Sequence, residues 1–302
     1  MTDPVVLIEG LGKRYGRHQA LHGLDLTVEP GEVFGFLGPN GAGKTTTIRL
    51  LLDLIRPSAG SVRVFGMDPR AHAVEIRRRA GYLPGELTLE GRQTAGELLA
   101  FLGHLRGGID ARRIHALAER LDLDLSRPIR GLSKGNKQKV GLVQAFMHHP
   151  DLLILDEPTS GLDPLLQQEF LDWVRQARAD GQTVFMSSHV LAEVQHVADR
   201  VGIVRAGRMV AVDDVDSMRA RAVRRIEIHF DAPVPKSAFA FLAGVRDVTV
   251  DGATLRCLIE GHADALVKAA AQFTVVDLKA EEPDLEELFL SYYTEGDEHR
   301  AA

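Results

Sequence analysis

The chain has 302 residues, 45% hydrophobic and 26% charged, the composition of a soluble globular protein with room for one large domain or two ordinary ones. Its 36 basic and 42 acidic residues leave a net charge of −6, which argues against a protein devoted to nucleic acid, although a local basic patch stays open. Cys257 is the only cysteine, so no disulfide closes within the chain and a reducing setting fits. No apolar run approaches the roughly 18 residues of a membrane helix, and residues 1–10 lack a signal-peptide core, so neither a leader nor a spanning segment is expected.

Residues 5–8 read as a first strand and residues 11–16 as a turn-rich stretch. Tyr15 in that stretch offers a ring on which a flat base can stack, although an ordinary packed tyrosine fits as well. Leu24, Leu26 and Val28 alternate with polar residues, as in a half-exposed antiparallel strand. Val33, Phe34, Phe36 and Leu37 form the apolar run of a buried parallel strand. That run ends in Gly38-Pro39-Asn40-Gly41-Ala42-Gly43-Lys44-Thr45-Thr46, which fits the phosphate-binding pattern G-x-x-x-x-G-K-[ST]. Ile48, Leu51, Leu52 and Ile55 follow at helical spacing. The loop thus sits between a strand and a helix N-terminus. Its glycines let the backbone amides turn toward phosphate, and the helix dipole adds positive potential there. Lys44 brings a charge for the outer phosphates, Thr45 a hydroxyl for Mg²⁺, and Thr46 a further donor.

Residues 56–60 read as a turn, 61–65 as a strand, 75–79 as a basic helix end, and 81–86 as a strand running into a loop. From 94 to 125 the pattern is helical throughout, with no strand between two apolar faces, which predicts a helical subdomain inserted into an α/β core. Ser133-Lys134-Gly135-Asn136 precedes a helix expected over 137–148, a second helix start that can attract an anion, with Ser133 also suited to a plain N-cap. His148 and His149 end that helix, where partial positive charge is favourable. Residues 152–155 are a buried strand ending in Asp156-Glu157, at the sheet edge where ligands bind in open α/β folds. Asp156 suits Mg²⁺ and Glu157 can polarise a water; capping the next helix is the plainer role. Asp163 reads as the N-cap of a helix opened by Pro164 and amphipathic over 170–179. Strand 183–186 closes with Ser187-Ser188-His189, which brings His189 to the same edge. A helix over 191–197, a strand over 201–204 and a hairpin over 207–212 complete the core.

Composition breaks near 213–225. Beyond it, a strand over 226–230, a short helix over 237–242, strands 245–250 and 254–259 around Asp251-Gly252, a helix over 263–271, a strand over 273–278 and a helix over 285–293 follow. The order βαββαβ plus a helix predicts a small α+β ferredoxin-like domain. Glu281, Glu282, Asp284, Glu286 and Glu287 make an acidic run that reads as a solvated helix start.

Taken in order, Tyr15, GPNGAGKTT, LSKGN, LLILDEPTSGLD and SSH189 resemble the ATP-binding subunit of ABC transporters over residues 5–212. The C-terminal piece is similar to the extension on ATPases of ABC-2-type exporters for drugs and antibiotics. The resemblance implies a P-loop ABC cassette at 1–218, with its helical subdomain at about 87–150, and an accessory domain at 219–302. It implies ATP and Mg²⁺ as ligands, with Tyr15 on adenine, Lys44, Thr45 and the loop amides on phosphates, and Asp156 near the metal. Glu157 would be the general base and His189 would contact the γ-phosphate. Ser133 and Gly135 would reach ATP on a second copy or a homologous cassette, with Asp163 linking the two sites. The expected partner is an integral membrane permease at the cytoplasmic face, not nucleic acid. The alternative is a soluble ABC ATPase acting on ribosomes or nucleic acid, but such relatives carry two cassettes or a long coiled coil, and this chain has neither. Two places depart from the family. Lys134 and Asn136 replace the usual Gly and Gln of the signature, and Gly85 stands where a Gln usually touches Mg²⁺, so Glu86 is expected to substitute in part.

Overall fold

In a computed structural model of the protein, residues 3–221 and 223–281 are described. The helix expected over 285–293, and Glu282, Asp284, Glu286 and Glu287 of the acidic run, lie outside the described residues. The chain divides into two compact units, 1–212 and 213–302.

The first unit is built on a six-stranded sheet of order β5-β6-β7-β3-β8-β9. Its members are β3 (Val33–Leu37), β5 (Ala80–Leu83), β6 (Leu152–Asp156), β7 (Thr183–Ser188), β8 (Arg200–Arg205) and β9 (Arg208–Asp214). β5, β6, β7, β3 and β8 pair in parallel. β3, β6 and β7 are buried along their whole length, which is why they read as continuous apolar runs rather than alternations. Phe34 and Phe185, register partners on β3 and β7, stack at 5.9 Å. A second, antiparallel sheet has the order β2-β1-β4.

There residues 11–15 of the expected turn-rich stretch at 11–16 prove to be strand, and only Gly16 lies in a turn. β1 (Val6–Tyr15) continues through residues 11–15 and pairs with β2 (His18–Val28), while β4 (Ala59–Val64) covers its other side. The register shifts at Ile8/Leu11, Leu11/Gly12 and Lys13/Arg14 explain the misreading, because bulges interrupt the period-2 pattern on which strands are recognised.

α1 (Lys44–Leu51), α2 (Pro69–Arg79) and α6 (Pro164–Ala179) belong to this core, with the shorter α7 (Leu191–Val194) after β7. The inserted helices are α3 (Ala95–Leu105), α4 (Ala111–Arg120) and α5 (Lys134–Phe146). α5 begins three residues before the expected 137, because the Ser133 hydroxyl accepts the Asn136 amide and caps it there. Lys134, Gly135 and Asn136 are therefore its first turn. Arg106, just past α3, donates to the carbonyls of Arg77, Arg78 and Ala80. This fastens the inserted helices to the end of α2.

The second unit opens with α8 (Val215–Arg221) and carries a four-stranded antiparallel sheet of order β11-β12-β10-β13. The strands are β10 (Arg224–Phe230), β11 (Val245–Asp251), β12 (Thr254–Ile259) and β13 (Val275–Ala280), with α9 (Asp264–Ala270) before the last. The helix expected over 237–242 is only a 3₁₀ turn at Lys236–Ala238. Phe230, Phe239 and Phe273 meet at 5.7 to 5.8 Å in this unit's own core.

Candidate phosphate-binding and catalytic site

The C-terminal ends of β3, β6 and β7 lie side by side, because parallel pairing aligns Leu37 with Ser188 and Asp156 with Ser187. Each strand delivers one part of the site, as in other open parallel sheets. From β3 comes the loop 38–46, running into α1. Gly38 is required there by crowding rather than by φ, since a Cβ would lie 2.3 Å from the Val204 carbonyl oxygen. Gly43 sits at φ +110, immediately before α1, a conformation that side chains rarely adopt. Lys44 is buried, and its Nζ donates to the Gly38 carbonyl at 2.5 Å and the Pro39 carbonyl at 3.3 Å.

From β6 come the two carboxylates. Asp156 is fully buried; its Oδ2 accepts the Thr45 hydroxyl at 2.8 Å and its Oδ1 the Ser187 hydroxyl at 2.5 Å. Glu157 turns away from it with φ +49, in the left-handed region. Its Oε1 pairs with Lys44 Nζ at 3.1 Å and its Oε2 meets His189 Nδ1 at 2.7 Å. Lys44, Glu157 and His189, from three separate stretches of sequence, therefore form one ionic chain, with His189 half exposed at its outer end. The plainer expectation that the two carboxylates cap the next helix does not describe them. Asp163 does that, its Oδ1 accepting the amides of Leu165 and Leu166 at 3.1 Å each.

The donor set at Asp156 and Thr45 is two hard oxygens in contact, which suits a small divalent cation that takes its remaining ligands from phosphate and water. Among the described residues there is no cluster of three or more His, Cys, Asp or Glu that would form an all-protein cage. Gly85 borders this pair: a Cβ there would sit 3.2 Å from Asp156 Oδ2. Glu86, next in the chain, is exposed. Burial, and after it the Asp156 carboxylate, push the Tyr82 hydroxyl up to about 12, so it stays protonated beside the acid.

The remaining candidates lie on other elements. Tyr15 is exposed at the end of β1, with Lys13 Nζ 4.9 Å from its ring centre. Ser133 and Lys134 are exposed at the start of α5, and Gly135 lies so close to the turn before α6 that a Cβ would come 2.9 Å from the Gly161 carbonyl. His148 departs from the expected favourable positive charge. Burial first, then the Arg106 charge, hold its pKa down at about 4, so it is neutral at the end of α5.

Two groups here had no role assigned from the sequence. Ser187 ties the Asp156 carboxylate to the Glu157 backbone, its hydroxyl donating to Asp156 Oδ1 and accepting the Glu157 amide. Glu193 on α7 accepts from Thr159 at 2.6 Å and lies 3.4 Å from Ser188, tying the segment after Glu157 to that before His189. Only the register between β6 and β7 singles Ser187 out, and that is invisible in a one-dimensional pattern.

Residues 21–160 match a family model described as ABC transporter. The chain is 36% identical to the daunorubicin resistance ATP-binding protein DrrA3 of Streptomyces coeruleorubidus, over 99% of this chain and 98% of that one. It is 33% identical to the linearmycin resistance ATP-binding protein LnrL of Bacillus subtilis, over 94% of this chain and 96% of the other. A solved structure of the ATP binding subunit of an ABC transporter superposes with a TM-score of 0.67 at 32% identity, covering 71% of this chain and 92% of that chain.

Proposed function

This chain belongs to the ABC transporter family and is an ATP-binding, ATP-hydrolysing subunit; from that premise we propose that it powers export of a drug or antibiotic through a separate integral membrane subunit. The observation that carries the hydrolytic part is the ionic chain Lys44–Glu157–His189 beside the Thr45–Asp156 pair. Similarity along nearly the whole chain to two resistance proteins supports the exporting part.

In this reading the amides of residues 38–46 and the Lys44 ammonium hold the β- and γ-phosphates, and Tyr15 stacks on adenine. Thr45 and Asp156 hold Mg²⁺, which when bound neutralises charge building on the phosphate oxygens. Phosphate oxygens compete for Lys44, drawing it from the Glu157 carboxylate and leaving Glu157 free to accept a proton. Glu157 then takes a proton from the attacking water as the water oxygen bonds to the γ-phosphorus and the bond to ADP breaks. His189 keeps Glu157 oriented through Nδ1 and turns its other ring nitrogen toward the γ-phosphate. Glu86 stands in part for the family's Gln beside Mg²⁺, with the Gly85 backbone already against Asp156.

A second copy or a homologous cassette completes the site. Ser133 at the cap of α5 and Gly135 on its first turn reach the γ-phosphate of ATP held by the partner, Lys134 and Asn136 complete that segment, and Asp163 links the two sites. The exposure of Ser133, Lys134 and Leu165 supports a surface that a partner covers. No helix among the described residues is long and apolar enough to cross a membrane. In the proposal the permease holds the protein at the cytoplasmic face. The strand order of the second unit supports the ferredoxin-like reading of residues 219–302, whose place is in dimer contacts or regulation.

The test is to tag Glu157→Gln in the native host, solubilise in mild detergent with ATP and Mg²⁺, and identify co-purifying proteins by mass spectrometry. A polytopic membrane protein supports the proposal. Ribosomal proteins or nucleic acid without one would favour the soluble alternative.

A further inference from the structure

Ser187, one residue before the end of β7, lies opposite Asp156 and is fully buried. Its hydroxyl donates to Asp156 Oδ1 at 2.5 Å, and the same oxygen accepts the Glu157 amide at 3.1 Å. Its own carbonyl accepts that amide too, at 3.2 Å. One residue therefore holds a side chain and the backbone of two consecutive acids. The neighbouring Ser188 does neither, since its hydroxyl bonds the Val190 backbone and faces Glu193.

Both acids need such a hold. The Asp156 carboxylate is fully buried and is satisfied by two hydroxyls, Thr45 on one oxygen and Ser187 on the other. A buried charge that loses a donor loses far more than an exposed one. Glu157 sits at φ +49, which a residue with a side chain keeps only when its surroundings impose it. That backbone twist separates the two carboxylates, sending Asp156 to Thr45 and Glu157 to Lys44 and His189.

We propose that Ser187 is a positioning residue for hydrolysis: its hydroxyl fixes the twisted Asp156–Glu157 backbone, so that Glu157 is aimed at the attacking water while Asp156 stays on Thr45. The proposal rests on Glu157 acting as the base, as put forward above. Alanine at 187 keeps the volume and removes both hydroxyl bonds, leaving the Glu157 amide on the carbonyl alone. Threonine keeps the hydroxyl and suits a strand.

The experiment measures steady-state ATP turnover, ATP affinity and thermal melting on the full chain carrying Ser187→Ala, Ser187→Thr, Glu157→Gln, or both Ser187→Ala and Glu157→Gln. Loss of a charge-assisted hydrogen bond at the reacting group corresponds to about a 10-fold fall in kcat. Ser187→Ala should show that fall, with KM for ATP and ATP affinity within about 2-fold, and Ser187→Thr should recover most of the rate. In the Glu157→Gln background, Ser187→Ala should change the residual rate by less than about 2-fold, because the group it positions is gone. A Ser187→Ala kcat within about 2-fold of the parent, with Glu157→Gln inactive, overturns the proposal alone. So does a loss of rate that follows lost ATP affinity or a lowered melting temperature and is not recovered by threonine. Full turnover in Glu157→Gln overturns the assignment of the base, and the role of Ser187 with it.

Discussion

His148 makes stability depend on pH in a way that one substitution isolates. Its Nε2 lies 2.8 Å from Arg106 Nη1. Nε2 also lies 3.2 Å from the Ala80 carbonyl oxygen, so a ring protonated on Nδ1 accepts from Arg106 and one protonated on Nε2 donates to Ala80. A second proton would charge a buried ring facing Arg106, Arg113 and His149; burial first, then the Arg106 charge, outweigh the Ala80 hydrogen bond and lower the pKa from 6.5 to about 4. A histidine with a depressed folded pKa takes up its proton on unfolding, so acid favours the unfolded chain. Its contribution is fully present above pH 6.5 and is lost as pH falls toward 4. Between pH 7.5 and pH 5, linkage over that gap amounts to about 2 kcal/mol, and the ring's residual access to water reduces it to about 1. His148→Gln keeps an acceptor for Arg106 and removes the titration. Urea midpoints of the two proteins should therefore diverge as pH falls from 7.5 to 5, the wild type losing about 1 kcal/mol more. Comparing the pair cancels the other histidines and the carboxylates common to both. Parallel pH dependence in wild type and His148→Gln would show that the Arg106–His148 contact does not restrain this ring.

Lys44→Ala removes the only ammonium in the phosphate loop and should cut ATP turnover by more than about 100-fold, read in a phosphate-release assay. His189→Ala should lower kcat about 100-fold while shifting the melting temperature by less than about 2 °C, because the ring is half exposed; a collapse in melting temperature instead would make His189 a structural residue. Glu86→Ala should reduce both ATPase activity and transport several-fold, about what a single metal-side contact contributes. Unchanged values for both would remove Glu86 from the site.

Much of this molecule is legible in one dimension because its physics is local. The phosphate loop depends on glycines and a lysine at fixed spacing between a strand and a helix. Asp163 caps α6 two and three residues downstream, and β3, β6 and β7 announce themselves as apolar runs because both of their faces are covered. Where local periodicity is broken the reading fails: the bulged continuation of β1 looked like a turn, and α5 began earlier than its apolar face because a serine cap set the start.

The sequence by itself determined which residues are candidates for the chemistry and in what order they occur. It could not determine which of them touch. That Lys44 pairs with Glu157, that Glu157 turns to φ +49 away from Asp156, that Ser187 holds both, and that His148 is neutral are decided by the parallel register of β6 against β7 and by burial at the end of α5. Those contacts join residues about 30 to 110 positions apart, and only closing the sheet brings them within hydrogen-bonding distance.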